Sequence, residues 1–314
     1  MITNEKLIRF LRSKPALNLT KIEQEAGVPA KTLHKALADQ QVVPTKHLPS
    51  LDEAVRQYGY TDALFDKAKV ISIVNHKGGV GKTTTTINVG KALSLLGNKV
   101  LLVDMDSQGN LSQCFGVHDP EEQVIDALLG TYPLPLVSIT DQLFLTPSDI
   151  RMAYKESELT NSIGADRRLS LKLEDARDRF DYILIDCPPN LGICTTCSLV
   201  ASNHCVVPIQ PEASAFHGVE NLFNRIAEVR TYINQNLTVK GIVFTMISKN
   251  QVVHKSMIAH IRDSYRNFHI YDTVIEMATI IKQSQVAKQD LFTYAPKSSA
   301  WLQYHQLATE IMKL

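Results

Sequence analysis

A glycine-rich segment between an apolar run and a helix-like run constrains this chain more than any other feature. Residues 70–74 (VISIV) have the β-branched, apolar character of a buried parallel strand. Residues 85–96 carry apolar side chains at helical spacing and stop at Gly97. The segment between them reads Asn75-His76-Lys77-Gly78-Gly79-Val80-Gly81-Lys82-Thr83-Thr84. Strand, glycine loop and helix in this order predict a phosphate-binding loop, because backbone N–H groups and the helix N-terminus can surround phosphate oxygens.

The residue types within the loop predict particular contacts. Lys82 would reach the β- and γ-phosphates of a nucleotide, and the hydroxyl of Thr83 would bind Mg²⁺. The pattern departs from the usual one at two positions, because His76 replaces the first glycine and Lys77 adds a second lysine. The other residues expected to contact the nucleotide are Lys77, Gly78, Gly79, Val80, Gly81 and Thr84.

The form KGGVGKTT of this loop resembles the deviant Walker A motif of the ParA/MinD family of dimerising ATPases, and most closely the ParA partition branch. The resemblance implies an α/β P-loop NTPase fold over residues 70–314, with a mostly parallel central sheet flanked by helices. It also implies ATP/ADP and Mg²⁺ as cofactors and an ATP-dependent homodimer. In such a dimer Lys77 would cross to the partner subunit and neutralise charge on its phosphates, so Lys77 and Lys82 are both expected to be catalytic.

A second apolar run, residues 99–103, ends in the sequence DMDSQGN at residues 104–110. A carboxylate at the carboxyl end of a parallel strand lies at the crevice where ligands bind. The sequence is similar to the family motif D-x-D-P-Q-G-N, with Ser107 in place of proline. The resemblance implies that Asp106 orients or deprotonates the attacking water and that Asp104 supports Mg²⁺. The alternative is that both aspartates only cap a helix.

Two further apolar runs end in candidate site residues. Residues 182–185 precede Asp186, a Walker B arrangement in which a carboxylate holds the hydration shell of Mg²⁺. Pro188, a predicted nucleotide contact, and Pro189 would stiffen the loop that senses the γ-phosphate. Residues 241–246 form another predicted strand, and by resemblance its end approaches the adenine, which makes Thr245 and Met246 expected base contacts.

The N-terminal residues 1–48 predict a small all-α helix-turn-helix domain. They contain eight Lys and Arg against four Asp and Glu. Ile22 and Ala26 would face the core from the first helix, and Pro29 would begin the second. The outward side of that second helix would present candidate DNA contacts, which are Lys31, Thr32, His34 and Lys35. A plain helical hairpin used for dimerisation is the alternative, and residues 49–69 read as a helical connector.

Basic residues recur in the C-terminal part of the ATPase domain. Partition ATPases of the resembled family bind DNA there without sequence preference, so Lys255, Arg262 and Arg266 are candidate DNA contacts. Arg262 and Arg266 have the i, i+4 spacing that would place them on one helix face. The family pattern I-P-R-N-x-R is absent, and a solvated helix face is the alternative. Residues 301–314 predict a helix packed on the domain and not a membrane-binding tail, because its polar face lacks basic residues.

The composition narrows the classes of partner and compartment. The formal net charge is only +1, so DNA binding would have to come from local patches. No apolar run approaches the roughly 20 residues that span a bilayer, and we expect no membrane interaction. The odd count of five cysteines is typical of a reduced, cytoplasmic protein. Cys194 and Cys197 have the spacing of a shared iron–sulfur site, but small buried helix residues are the simpler interpretation.

Together these features predict an ATP-dependent DNA partition ATPase acting in the cytoplasm on the nucleoid. By resemblance, the ATP dimer would bind DNA, and a ParB-like centromere-binding protein would stimulate its slow hydrolysis. The alternative function is a nucleotide-switched transcriptional regulator that acts through the N-terminal helix-turn-helix. A membrane-positioning ATPase is a third reading, which the composition of the tail disfavours.

Overall fold

The computed structural model describes residues 2–38, 42–61, 67–212, 215–248 and 252–313. The chain divides into two compact units, Met1–Lys67 and Ala68–Leu314. No helix among the described residues is both long enough and apolar enough to cross a membrane.

The described part of the N-terminal unit contains four α-helices around one apolar core. Leu7, Phe10, Ile22, Leu33 and Leu51 are fully buried in it. Leu51 belongs to the segment expected to be a connector, so this helix packs inside the N-terminal unit. Residues 62–66 of the expected connector lie outside the described part of the chain. The helices are α1 Asn4–Ser13, α2 Leu19–Glu25, α3 Thr32–Ala38 and α4 Leu48–Gln57, with a 3₁₀ turn at Thr45–His47.

Helix α3 begins three residues later than the sequence indicated. The prediction that Pro29 starts this helix is wrong, because Lys31 has φ 67°, a left-handed conformation that cannot continue into a right-handed helix. Instead the carbonyl of Pro29 accepts the backbone N–H and the hydroxyl of Thr32, which closes a turn. Lys31 therefore precedes α3, whereas His34 and Lys35 lie on it, and all three side chains are exposed.

A buried carboxylate from α2 satisfies the first backbone amides of α3. Glu23 is 2% exposed. Its two oxygens accept the N–H of Lys31 at 3.0 Å and that of Leu33 at 2.7 Å. His34 Nδ1 lies 3.5 Å from the same carboxylate. Because helix N-termini leave N–H groups without intrahelical partners, Glu23 fixes the position at which α3 starts.

We predict that Glu23→Ala destabilises the N-terminal unit by about 1–3 kcal/mol, because two amides lose their acceptor. Glu23→Gln should have a smaller effect, since one side-chain oxygen remains to accept one amide. Amide hydrogen exchange of residues 31–33 measures both effects locally. Wild-type protection of these amides in the alanine variant would contradict the capping role of Glu23.

The C-terminal unit is built on a seven-stranded sheet in the order β3-β4-β2-β5-β1-β6-β7. All pairs are parallel except the antiparallel pair of β3 and β4 at one edge. The mostly parallel central sheet expected from the sequence is therefore confirmed. The strands are β1 Lys69–Ile73, β2 Val100–Asp104, β3 Val137–Thr140, β4 Leu143–Thr146, β5 Tyr182–Asp186, β6 His204–Ile209 and β7 Thr238–Phe244.

Helices cover both faces of this sheet, which explains why β2 and β5 are buried along their whole length. Apolar residues of α5, α6, α15 and α16 pack on one face, and those of α7 to α13 pack on the other. The helices are α5 Lys82–Leu95, α6 Asn110–Cys114, α7 Val124–Leu129, α8 Arg151–Thr160, α9 Arg168–Lys172, α10 Glu174–Arg177, α11 Ile193–Ala201, α12 Ala215–Tyr232, α13 Val252–Ser264, α14 Thr279–Val286, α15 Leu291–Tyr294 and α16 Ser299–Lys313, with a 3₁₀ turn at Ala165–Arg167.

The tail forms a helix packed on the domain, as the sequence indicated. Tyr304, Leu307 and Ile311 of α16 are buried against α5 and the sheet. The apolar side chains at helical spacing in this helix therefore belong to the hydrophobic core of the C-terminal unit.

Strand register brings the candidate site residues to one edge of the sheet. In β5, Asp186 pairs with Ile73 of β1 on one side and with Asp104 of β2 on the other. The glycine-rich loop leaves β1 immediately after Ile73. The three central strands thus deliver the loop and both carboxylates to the same carboxyl-terminal edge, where ligands bind in open α/β sheets.

Candidate functional site

The glycine-rich loop passes from β1 directly into the first turn of α5. Gly79 and Gly81 have φ values of 74° and 87°, which favour glycine and let the chain turn sharply. Asn75 holds the start of the loop, because its side chain accepts the N–H of Lys77 at 3.0 Å and donates to the carbonyl of Pro208 at 2.7 Å. The loop is therefore anchored to β6 as well as to β1.

Lys82, the first residue of α5, folds back over the loop. Its Nζ donates to the carbonyl of Lys77 at 3.0 Å, and the residue is only 6% exposed. Burial lowers the pKa of Lys82, while the charge of Asp186 opposes that shift. The ammonium group is thus enclosed by the loop that should hold an anion, as expected for a phosphate-binding lysine.

Lys77, the second lysine of the loop, is paired within its own chain. Its Nζ lies 2.6 Å from a carboxylate oxygen of Glu212, in the loop after β6. The side chains of Lys77 and Glu212 are 29% and 43% exposed. Glu212 was not singled out from the sequence, and no local motif marks it as the partner of a residue 135 positions away.

The two strand-end carboxylates have different hydrogen-bond environments. Asp104 accepts the N–H of Asp106 with one oxygen and both the N–H and the hydroxyl of Ser112 with the other. Asp186 Oδ1 lies 3.3 Å from Thr86 Oγ1, whereas its buried Oδ2 has no hydrogen-bond partner among the described residues. Burial raises the pKa of Asp104 to about 7 and that of Asp186 well above its usual range.

These environments bear on where a cation could be held. Asp104 already accepts three hydrogen bonds, which fix the loop of Asp106 to α6. This role resembles the helix-capping alternative stated for Asp104 above. Asp186 has an unsatisfied buried oxygen. Thr83 carries a hydroxyl, lies in the first turn of α5 directly after Lys82, and lines the cavity described below. A hydroxyl and a carboxylate are hard oxygen ligands of the kind Mg²⁺ prefers. Thr83 and Asp186 therefore fit a hydrated Mg²⁺ better than Asp104 does.

A cavity of about 490 Å³ opens between the loop, α5, α6 and α14. Five residues predicted to contact nucleotide lie behind its surface: Val80, Asp104, Asp186, Pro188 and Thr245 are all buried. Eight predicted residues line it: Gly78, Gly79, Gly81, Lys82, Thr83, Thr84, Asp106 and Met246.

The positions of Pro188 and Thr245 differ from the prediction. Thr245 is 1% exposed, and its hydroxyl donates to the carbonyl of Val80 at 2.8 Å, so it supports the loop and does not face the cavity. Pro189, the next residue after Pro188, lines the cavity. Met246, with φ 55°, reaches the cavity surface where a base contact was expected.

One wall of the cavity was not expected from the sequence. Residues 284–289, at the end of α14 and beyond it, line the cavity through Ser284, Gln285, Lys288 and Gln289. Gln285 contacts Thr84 across 201 positions of sequence. No glycine pattern or strand-end carboxylate marks this segment, so only the folded chain reveals it.

The C-terminal basic residues do not share one helix face. Arg262 is exposed on α13, with its guanidinium 5.7 Å from the ring centre of Phe244. Arg266 is also exposed but lies beyond the end of α13 at Ser264, so the expected i, i+4 helical pair is wrong. The side chain of Lys255 lies outside the described part of the structure.

The cysteines give no sign of a metal centre. Cys187, Cys194, Cys197 and Cys205 are buried free thiols, and Cys114 is partly buried. Within the described ranges, no group of three or more His, Cys, Asp or Glu side chains is arranged to hold a metal ion. Burial raises the pKa of the Cys187 thiol to about 12, which keeps it protonated.

The anchored glycine loop, the enclosed lysine and the strand-end carboxylates define a P-loop nucleotide-binding protein. Residues 68–239 match a family model described as an AAA domain. The sporulation initiation inhibitor protein Soj of Bacillus subtilis is 35% identical over 248 residues, which cover 77% of this chain and 98% of Soj. The chromosome partitioning protein ParA of Caulobacter vibrioides is 33% identical over 255 residues, covering 78% and 94%. This chain therefore belongs to the ParA/MinD family of P-loop ATPases.

Solved structures support the same fold. Cobyrinic acid a,c-diamide synthase from Mycobacterium smegmatis, crystallised with bound ADP and magnesium, superposes with a TM-score of 0.69 at 29% identity and covers 78% of this chain and 94% of its own. The cell division ATPase MinD of Pyrococcus furiosus gives a TM-score of 0.63 at 26% identity, covering 78% and 99%.

We predict that Asp186→Asn stabilises the ligand-free protein at pH 8 by about 2 kcal/mol, because it removes a buried charge with an unsatisfied oxygen. A carboxyl whose folded pKa is raised loses stability as pH rises above its unfolded value. The difference from wild type should therefore shrink towards pH 5. Urea unfolding across this range measures it. A variant that is less stable than wild type at pH 8 would contradict the assignment.

Proposed function

We propose that this protein is an ATP-dependent DNA partition ATPase. It binds ATP with Mg²⁺, dimerises on ATP, binds DNA and is released by slow hydrolysis. The observation that carries the proposal is the loop with two lysines beside the unsatisfied carboxylate of Asp186. The name of the relative ParA, a chromosome partitioning protein, supports the partition role, and the ADP and magnesium in the synthase structure support the cofactors.

The site residues divide the work of holding the nucleotide. The N–H groups of the glycine loop and the ammonium of Lys82 would bind the phosphates, with Thr83 and Asp186 holding Mg²⁺. The bound ion would neutralise charge on the phosphates. Asp104 acts indirectly, because it ties the Asp106 loop to Ser112 of α6.

Asp106 would act on the attacking water. It lines the cavity, is 8% exposed, and one of its oxygens accepts the N–H of Gln108 at 3.0 Å. A carboxylate fixed by a backbone amide at the cavity surface can orient a water or accept its proton. Because phosphoryl transfer needs mainly positioning and charge neutralisation, few further groups are required.

Lys77 would link hydrolysis to dimerisation. In a single chain it pairs with Glu212. In the proposed dimer it leaves Glu212 and neutralises the phosphates bound to the partner subunit. ATP would then stabilise the dimer through a lysine supplied in trans, and its hydrolysis would weaken the dimer.

DNA binding would come from local basic surfaces. Lys31, His34 and Lys35 are exposed together at the start of α3, and Arg262 and Arg266 are exposed on the ATPase unit. We expect the ATP dimer to act on nucleoid DNA in the cytoplasm, with a ParB-like centromere-binding protein stimulating hydrolysis. The exposed basic α3 also favours a second candidate, a transcriptional regulator switched by nucleotide. Tight sequence-specific DNA binding without DNA-stimulated hydrolysis would favour that second function.

The two loop lysines should be separable by mutation. Lys82→Ala should weaken ATP binding by about 100-fold, because it removes a charge-assisted contact to the phosphates. Lys77→Ala should leave ATP binding within about threefold of wild type but abolish ATP-dependent dimerisation. Calorimetry and light scattering measure the two effects. Equal loss of ATP affinity in both variants would show that Lys77 acts in its own site.

The DNA contacts at α3 should respond to charge removal. The double variant Lys31→Ala/Lys35→Ala should weaken DNA binding and reduce the slope of log affinity against log salt by about 2, since each lost phosphate contact reduces it by about 1. Lys46→Ala, which removes an exposed charge from the 3₁₀ turn, is the control and should leave the slope unchanged. An unchanged slope in the double variant would remove α3 from the DNA interface.

A further inference from the structure

A hydrogen bond joins α14 to the first turn of α5 in the wall of the cavity. The side-chain amide nitrogen of Gln285 donates to Thr84 Oγ1 at 2.6 Å. Thr84 is 6% exposed and follows Thr83, and all three residues line the cavity. A distant segment of the chain therefore contacts the turn that should hold phosphate.

This contact leaves the hydroxyl hydrogen of Thr84 available to a ligand. A threonine hydroxyl has one hydrogen to donate and two lone pairs that accept. Because the Gln285 amide nitrogen is a donor, it occupies a lone pair and leaves the hydroxyl hydrogen unused. Nothing in the described part of the chain accepts that hydrogen from Thr84.

Thr86, two residues later in α5, uses its hydroxyl differently from Thr84. Thr86 donates its hydroxyl to the carbonyl of Lys82, four residues earlier in α5. The equivalent carbonyl for Thr84 belongs to Val80, and it accepts the hydroxyl of Thr245 instead. Among the described residues no hydrogen bond runs from the hydroxyl of Thr84 to that carbonyl, and Thr84 lines the cavity.

We propose that Gln285 is a positioning residue for nucleotide binding, which directs the hydroxyl hydrogen of Thr84 towards a phosphate oxygen. The inference rests on the proposed function, because it requires a phosphate in this cavity. Phosphate oxygens only accept hydrogen bonds, so a hydroxyl that is held as a donor binds them better than one that rotates.

The chain segment that carries Gln285 is fixed on both sides of the cavity. Lys288 Nζ donates to Gln113 Oε1 of α6 at 3.0 Å. The N–H of Leu291 donates to Asn88 Oδ1 at 2.9 Å, and Asn88 Nδ2 donates to the carbonyl of Thr84 at 2.8 Å. These bonds fix the chain on the C-terminal side of Gln285 against α5 and α6, which limits how far Gln285 can move from Thr84.

The test begins with Gln285→Met, which keeps the length of the side chain but cannot hydrogen-bond. We expect the dissociation constant of Mg-ATP to rise about tenfold, the effect of one hydrogen bond to a charged group. The KM for ATP should rise in the same proportion with little change in kcat, because the lost contact concerns binding. Gln283→Met, an exposed change on the same helix, is the matched control and should bind ATP like wild type.

A double-mutant cycle with Thr84→Val tests whether Gln285 affects ATP affinity through the hydroxyl of Thr84. If Gln285 acts through the hydroxyl of Thr84, Gln285→Met adds nothing once that hydroxyl is removed. In a Thr84→Ser background, which keeps a hydroxyl, the tenfold loss should return. Additive losses in the cycle, or wild-type affinity of Gln285→Met, would overturn the inference.

Two controls keep this result distinct from other failures. Urea unfolding without nucleotide should show that Gln285→Met loses no more stability than the deletion of one hydrogen bond accounts for. A larger loss would assign Gln285 a structural role instead. If the wild-type protein itself does not bind Mg-ATP, the proposed function fails before the inference is reached. If wild type binds and Gln285→Met binds equally well, only the inference fails.

Discussion

The parallel pairing of β1, β5 and β2 is the constraint on which the rest of the site depends. Their register places Ile73, Asp186 and Asp104 side by side at one edge of the sheet. Because these strands are covered by helices on both faces, their order cannot change without exposing apolar residues. The loop, the enclosed Lys82 and the unsatisfied oxygen of Asp186 follow from that arrangement. The energetic cost of burying Asp186 is therefore part of how the fold prepares a cation site.

The sequence was sufficient for features encoded within a few neighbouring residues. The strand–loop–helix around Lys82 and the packed C-terminal helix are of this kind, since periodicity and glycine spacing are local properties. The mostly parallel sheet was expected from the family resemblance of the glycine loop. The start of α3 was misplaced because proline often begins a helix, whereas here Lys31 adopts a left-handed conformation. Arg266 was misplaced because helix ends are weakly marked in sequence.

Contacts between distant segments could not be predicted. Glu212 meets Lys77 across 135 positions, and Gln285 meets Thr84 across 201. Thr245 was placed near the base by resemblance, but its hydroxyl is used by the carbonyl of Val80. Each of these contacts depends on how loops at the sheet edge pack together. The sequence carries no spacing rule for that packing.

In the proposed dimer, the pair of Lys77 and Glu212 would also help the protein to tell one nucleotide from another. Both side chains are partly open to water, so separating them exposes two charges that solvent can stabilise. Movement of Lys77 would then be a competition between the Glu212 carboxylate and the phosphates of a partner subunit. A triphosphate offers more negative charge than a diphosphate, so it would compete better for the same ammonium group. Glu212 would thereby set a threshold of charge that the bound nucleotide must exceed before two chains associate.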